Sequence, residues 1–139
     1  MSQYFQVGAE VVWNPSNGVG LLFVRSAEAL GLLVEVPTGI AAEDADEWAI
    51  DMPAFEVFVG ELVGRYAEST HLILRSLMEG FIVTALVLVE RGGGRVSEPR
   101  TRPGPGAFDV QVSSGGVVDR TGPERLKELS ITHSEAMPR

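Results

Sequence analysis

The chain has 139 residues, a formal net charge of −8 and no cysteine. That length suffices for one domain with a core that is stable without crosslinks. The missing cysteines exclude disulfides, iron–sulfur clusters, thiolate zinc sites and thiol catalysis. Residues 1–91 hold four arginines, no lysine and 13 acidic residues, net −9; residues 92–139 carry net +1. An acidic body repels phosphate backbones and gains nothing from counterion release, so nucleic-acid binding by residues 1–91 is not expected.

The N-terminus, MSQYFQVGAE, lacks the basic and apolar regions of a secretory signal. Tyr4 to Trp13 alternates aromatic and β-branched residues around Gly8, which suits one or two short strands. A helix follows in WNPSNGVGLLF. Asn14 is a candidate cap with Pro15 in the first turn, and Asn17 is an alternative start. Val19, Leu22, Phe23, Ser26 and Leu30 then share one face, and Gly31 supplies a stop. The next stretch contains Pro37, Gly39 and a run of acids, and reads as a loop with a short helical turn near Ala42–Trp48.

Asp51 begins the strongest element. It is a good N-cap, and Pro53 lies in the first turn. Helical periodicity runs through Phe55, Phe58, Val59, Leu62, Tyr66, Ile73, Leu77, Phe81, Thr84 and Leu88 to Gly92-Gly93-Gly94. One straight helix over residues 53–91 would be roughly 58 Å long, more than a small domain spans. Either it bends or breaks near Gly64 or Ser69-Thr70, or it extends past the domain and finds a partner; a single bent helix is the favoured form. The run FIVTALVLV, Phe81–Val89, is apolar all round, so it needs cover on all sides. The first helix can cover one side only, which motivates a homodimer. At nine residues the run is about half of a bilayer span, so no membrane segment is expected.

Residues 92–139 change character. RGGGRVSEPRTRPGPG is a linker by composition, AFDVQVSSGGVV suits a weak hairpin, and TGPERLKELS a short helix. The fold class expected is mainly α: a helical domain over residues 1–91, with minor β structure at its N-terminus, and a mobile tail over 92–139. The expected core includes Leu22, Phe23, Phe55, Phe58, Leu62, Ile73, Leu77, Phe81 and Leu88.

Catalytic and ligand motifs are sparse. Gly18 and Gly20 begin a dinucleotide fingerprint that Phe23 breaks, and no lysine precedes Lys127, so a phosphate loop is not supported. These glycines read as punctuation and close packing. Glu43-Asp44-Ala45-Asp46-Glu47-Trp48 alternates acids but lacks a calcium loop's spacing. It reads as a solvated turn or as a docking patch with Trp48 as anchor. Glu68 and His71 match half of a di-iron helix motif, and His133 has no such partner. Ser69 and His71 stand two apart on a helix and point away from each other. No catalytic residue, metal or cofactor is expected. Arg91, Arg95, Arg100 and Arg102 form a short arginine–glycine patch with a weak capacity for single-stranded nucleic acid.

The stretches QYFQVGAEVVWNPSNGVGLLF, DEWAIDMPAFEVFV and EGFIVTALVLVER resemble a family of small actinobacterial proteins, of the Streptomyces type, catalogued as a domain of unknown function. The resemblance covers residues 2–91 and rests on Trp13-Asn14-Pro15-Ser16, the acidic approach to Asp51 and Glu79-Gly80-Phe81. It implies a cytoplasmic bacterial protein and supplies no activity. One lysine against ten arginines fits a high-GC host.

Three functions compete on these grounds. The first is a non-catalytic, self-associating interaction protein. The second is an acidic, immunity- or antitoxin-like partner of a basic protein. The third is a small-ligand binder or enzyme with a pocket near Trp13 and Trp48. Candidate contact residues are Trp13, Asn14, Glu43, Asp44, Asp46, Glu47 and Trp48.

Overall fold

The computed structural model describes residues 1–96 and 122–139. It is mainly helical, with a small sheet at the N-terminal end. Strands β1 (Tyr4–Val7) and β2 (Glu10–Trp13) form an antiparallel hairpin. Gly8 at φ 60° opens its two-residue turn, a conformation that glycine adopts without a Cβ penalty. Helix α1 spans Asn17–Val34. Strands β3 (Ile40–Ala42) and β4 (Glu47–Ile50) form a second hairpin, and β4 pairs parallel to β1, giving the order β2-β1-β4-β3. Helices α2 (Met52–Glu68), α3 (Leu72–Arg91) and α4 (Gly122–Ala136) complete the fold.

The second hairpin replaces the expected loop and helical turn. Ile40 to Ile50 is mostly alanines and acids and lacks the alternating aromatic and β-branched residues that mark Tyr4 to Trp13, so it gives no local strand signal. Pairing with β1, 43 residues earlier in sequence, makes β4 a strand. The acids of the run fall on the turn between β3 and β4, where Glu43 and Asp44 donate their amides to the Glu47 carbonyl.

Helix α1 starts at Asn17, the later of the two candidate positions, with Ser16 as N-cap. Gly31 does not end it. The helix runs on to Val34, and Glu35 takes the left-handed conformation at φ 56°. Gly31 is a packing position instead, since a Cβ there would lie 3.0 Å from Thr38 Cγ2. Gly20 is similar: a Cβ would come within 2.7 Å of Gln3 Cγ. The close neighbour is therefore the chain leading into β1, not another helix.

Asp51 caps α2 as expected, its carboxylate accepting from the Ala54 amide at 3.5 Å. The long apolar stretch is two helices, and Ser69 to His71 make the break. The Ser69 hydroxyl accepts from the His71 amide at 3.1 Å, and His71 Nδ1 accepts from the Leu74 amide at 3.3 Å. His71 is thus the N-cap of α3, and its ring serves the helix start that local periodicity hides.

The core is a chain of aromatic rings. Phe5 and Trp13, paired across the hairpin, lie 5.1 Å apart, and both meet Phe23 of α1 edge-on at 5.5 and 5.3 Å. Phe23 stacks on Phe81 of α3 at 4.7 Å, and Phe81 meets Phe58 of α2 at 5.9 Å. Of the expected core, Phe23, Phe55, Phe58, Leu62, Phe81 and Leu88 are buried. Leu22, Ile73 and Leu77 are not: they are 68%, 63% and 76% exposed.

The C-terminal helix packs on α3. Leu126 and Met137 enter the core, and Gly122 sits so close to its neighbours that a Cβ would clash with the Arg75 guanidinium and press on the Tyr66 ring. Residues 122–139 therefore join the body, and the mobile tail expected over 92–139 does not describe them. The expected short helix is α4; the expected hairpin at 107–118 lies outside the described residues. By length and composition α1 and α3 are apolar enough to cross a bilayer, a test that the core helices of soluble proteins also pass.

Candidate functional site

Two contacts fix α4 at its ends, and between them they shape a cleft. At its start, Arg125 donates to both oxygens of Glu79, at 3.1 and 3.2 Å, and Tyr66 donates its hydroxyl to Glu79 Oε2 at 2.6 Å. The Arg75 guanidinium lies 4.3 Å from the centroid of the Tyr66 ring, a cation–π contact. The Arg125 hydrogen bond, then that of Tyr66, holds the Glu79 carboxyl below its ordinary pKa. Burial, then the bond to Glu79, pushes the Tyr66 hydroxyl up.

At the other end Arg91 works as a clamp. Its guanidinium donates to the carbonyls of Val12 at 2.9 Å, Ser134 at 2.9 Å and Met137 at 2.8 Å. Burial lowers its pKa, but arginine remains charged in proteins. The Asn14 amide donates to the Pro138 carbonyl at 2.9 Å. Together these bonds hold the segment after α4 against β2.

This segment forms one wall of an apolar cleft of about 450 Å³ between α1 and α3. Trp13, Phe23 and Phe81 line it beside Val19 and Leu22 of α1, Leu77 and Gly80 of α3, and Met137. The aromatic rings are buried, while Leu22 and Leu77 are largely exposed and stand at its rim. Ser16, Ser26, Thr84 and His133 add the polar groups. The Thr84 hydroxyl already donates to the Gly80 carbonyl at 3.0 Å, and His133 Nδ1 lies 3.2 Å from the Leu129 carbonyl oxygen. The cleft can hold apolar groups, and its polar lining forms no nucleophile–base pair. Its size falls in the range of ligand pockets.

The candidate contact residues separate in the fold. Trp13 lines the cleft. Asn14 does not; its backbone serves the C-terminal segment, and its Oδ1 is buried without a partner among the described residues. Trp48 shares Phe5 with Trp13, stacking on it at 6.3 Å, but stays out of the cleft and donates its indole N–H to Gln3 Oε1 at 2.7 Å. Gln3 Nε2 in turn donates to Asn17 Oδ1. Glu43 and Asp44 are exposed and Asp46 and Glu47 half-exposed on the β3–β4 turn. Arg91 is spent on the carbonyls above, Arg95 is exposed, and Arg100 and Arg102 lie outside the described residues. Among the described residues no three metal-ligating side chains cluster.

Leu22, Leu77, Gly80, His133 and Met137 were not singled out as contact residues. The two leucines fit a buried helical face so well that periodicity assigns them to the core. Gly80, a glycine inside an apolar helical run, is a sequence signal that could have marked the cleft.

Comparison with curated proteins and with solved structures finds no match. A family model, described as a family of unknown function (DUF6086), matches residues 1–139, and the chain belongs to that family.

Proposed function

We propose that this family member is a non-catalytic interaction protein that self-associates through the apolar face of α1 and α3. The observation that carries the reading is the exposure of Leu22, Ile73 and Leu77. All three sit at periodic positions that call for burial, and two of them rim one cleft. Exposed apolar residues gathered around a concavity mark contact surfaces; scattered ones need no explanation. The sequence motivates self-association differently, through residues 81–89, but α2, α4 and β2 leave that run buried. The apolar surface in need of cover lies earlier in α3.

The acidic turn at Glu43–Glu47 supports less. Charges on an exposed hairpin turn steer a basic partner, but they are also what solvent favours there. An actinobacterial, cytoplasmic setting remains part of the proposal, supported by ten arginines against one lysine and by the absence of cysteine.

Light scattering on the full chain at micromolar concentration tests the reading. The wild type should be a dimer. Leu22→Glu should be a monomer with an unchanged far-ultraviolet circular dichroism spectrum, because the side chain is exposed in the single chain and buried only in the assembly. A wild type that stays monomeric sinks self-association. It would turn attention to the third reading, a small apolar ligand seated in the cleft on Trp13.

A further inference from the structure

Gly80 occupies the middle of α3, where glycine costs about 1 kcal/mol relative to alanine. No described residue packs against it. A Cβ built at Gly80 would meet no heavy atom of the described residues within 4 Å, whereas at Gly20, Gly31 and Gly122 it would press on a neighbour. The open space above Gly80 is the cleft. A low floor at that point serves something that arrives from outside.

The lining indicates what arrives. Among the described residues none that lines the cleft is Asp, Glu, Lys or Arg, although the chain carries −8. Two copies repel each other over most approaches, and this patch lets them meet without facing carboxylates. A basic partner finds no complementary charge on it. The patch also carries both halves of a fit: a hollow, and beside it the projecting side chains of Leu22 and Leu77. A knob and a hole on one patch are what a two-fold contact requires, since each copy then fills the other and the assembly closes at two.

We infer that a second copy of the chain occupies the cleft across a two-fold axis, with Leu22 of each copy seated over Gly80 of the other. This rests on the reading of the α1–α3 face as a self-contact, and it specifies the geometry of that contact. The knob replaces water in a hollow lined by aromatic rings, which is where interface energy concentrates.

Two measurements on the full chain test it. Gly80→Leu fills the hollow from within, starting from a Cβ position that is clear of described atoms for 4 Å. It should raise the dimer dissociation constant at least tenfold, while Gly80→Ala keeps a fold control at the same position. Independently, because the chain has no cysteine, Leu22→Cys mixed with a size-tagged Gly80→Cys should give a crosslinked heterodimer under mild oxidation. The yield should exceed that of Leu32→Cys with Gly80→Cys, where Leu32 is a still more exposed position on α1 outside the cleft. A Gly80→Leu chain that dimerises like the wild type, or crosslinking no greater than the Leu32 control, overturns the two-fold seat while wild-type dimerisation stands. A monomeric wild type overturns both the seat and the self-association on which it rests.

Discussion

The two halves of α3 are both apolar and meet opposite fates. Phe81 to Val89 is the more apolar half, and the chain covers it: Phe81, Ile82, Val83, Ala85, Val87, Leu88 and Val89 are buried. Leu72 to Gly80 carries an ordinary amphipathic stripe, yet Leu72, Ile73 and Leu77 face outward. Hydropathy alone ranks these halves in the wrong order of need. What separates them is supply. Helices α1, α2 and α4 and strand β2 all pack on α3. In its first half they bury Arg75 and Met78 and hold Glu79 but leave the side of Leu72, Ile73 and Leu77 open, beside Leu22 of α1, which is itself uncovered. An apolar stripe states that a face needs cover and leaves open whether the same chain provides it.

The largest test of this contrast is a matched pair of truncations. Leu88→Ala removes a fully buried side chain and should cost about 3 kcal/mol in urea unfolding. Leu77→Ala, on the same helix, should change the unfolding free energy of the single chain by no more than about 0.5 kcal/mol and weaken association instead. Equal losses of stability in the two variants, measured below the dissociation constant, would erase the distinction between the halves.

The break that precedes α3 offers a smaller effect. His71→Ala removes the ring nitrogen that accepts from the Leu74 amide and should cost about 1 kcal/mol, the usual value of a helix cap. His71→Asn, which supplies another cap acceptor, should recover most of that in thermal denaturation. If alanine is neutral, the break is set by packing alone.

The smallest effect concerns the contact that ties α4 to the first half of α3, on the side away from the exposed leucines. Glu79 has a lowered pKa in the folded chain, with the Arg125 hydrogen bond as first cause and Tyr66 as second. A depressed carboxylate contributes stability that is present above its unfolded pKa and is lost as pH falls through the folded value. Stability should therefore decline on the acid side of the ordinary glutamate range, and Glu79→Gln should flatten that limb of the profile. Stability profiles of the two chains that run parallel through the acid range would remove Glu79 from the account.

Much of this was legible from the residues. The Asp51 cap, the helical run after it, the glycine stop at 92–94 and the short C-terminal helix follow from local chemistry. Asp51 announces its helix because a carboxylate before Pro53 satisfies orphan amides whatever lies nearby. The β3–β4 hairpin was not legible, because β4 exists through its pairing with β1. His71 was not legible as a cap, since histidine in an apolar run reads as helix interior until the chain is seen to turn there. Of the two candidate tryptophans, Trp13 lines the cleft and Trp48 does not. Both rings pack on Phe5, but the indole of Trp48 is turned to Gln3.

By itself the sequence determined a helical chain of one-domain size, acidic over its first 91 residues, and it fixed which residues need burial. It determined as well that disulfides and thiolate chemistry are absent. Only the tertiary structure decided which of those residues are buried by their own chain. That decision depends on where α4 returns and where α1 leaves off, and both are set by contacts between residues far apart in sequence. Arg91 reaches Val12, Ser134 and Met137, Glu79 reaches Arg125, and Phe23 reaches Phe81. Periodicity is a property of neighbours along the chain and carries no term for such contacts, which is why Leu22 and Leu77 look like core in the sequence and form a rim in the fold.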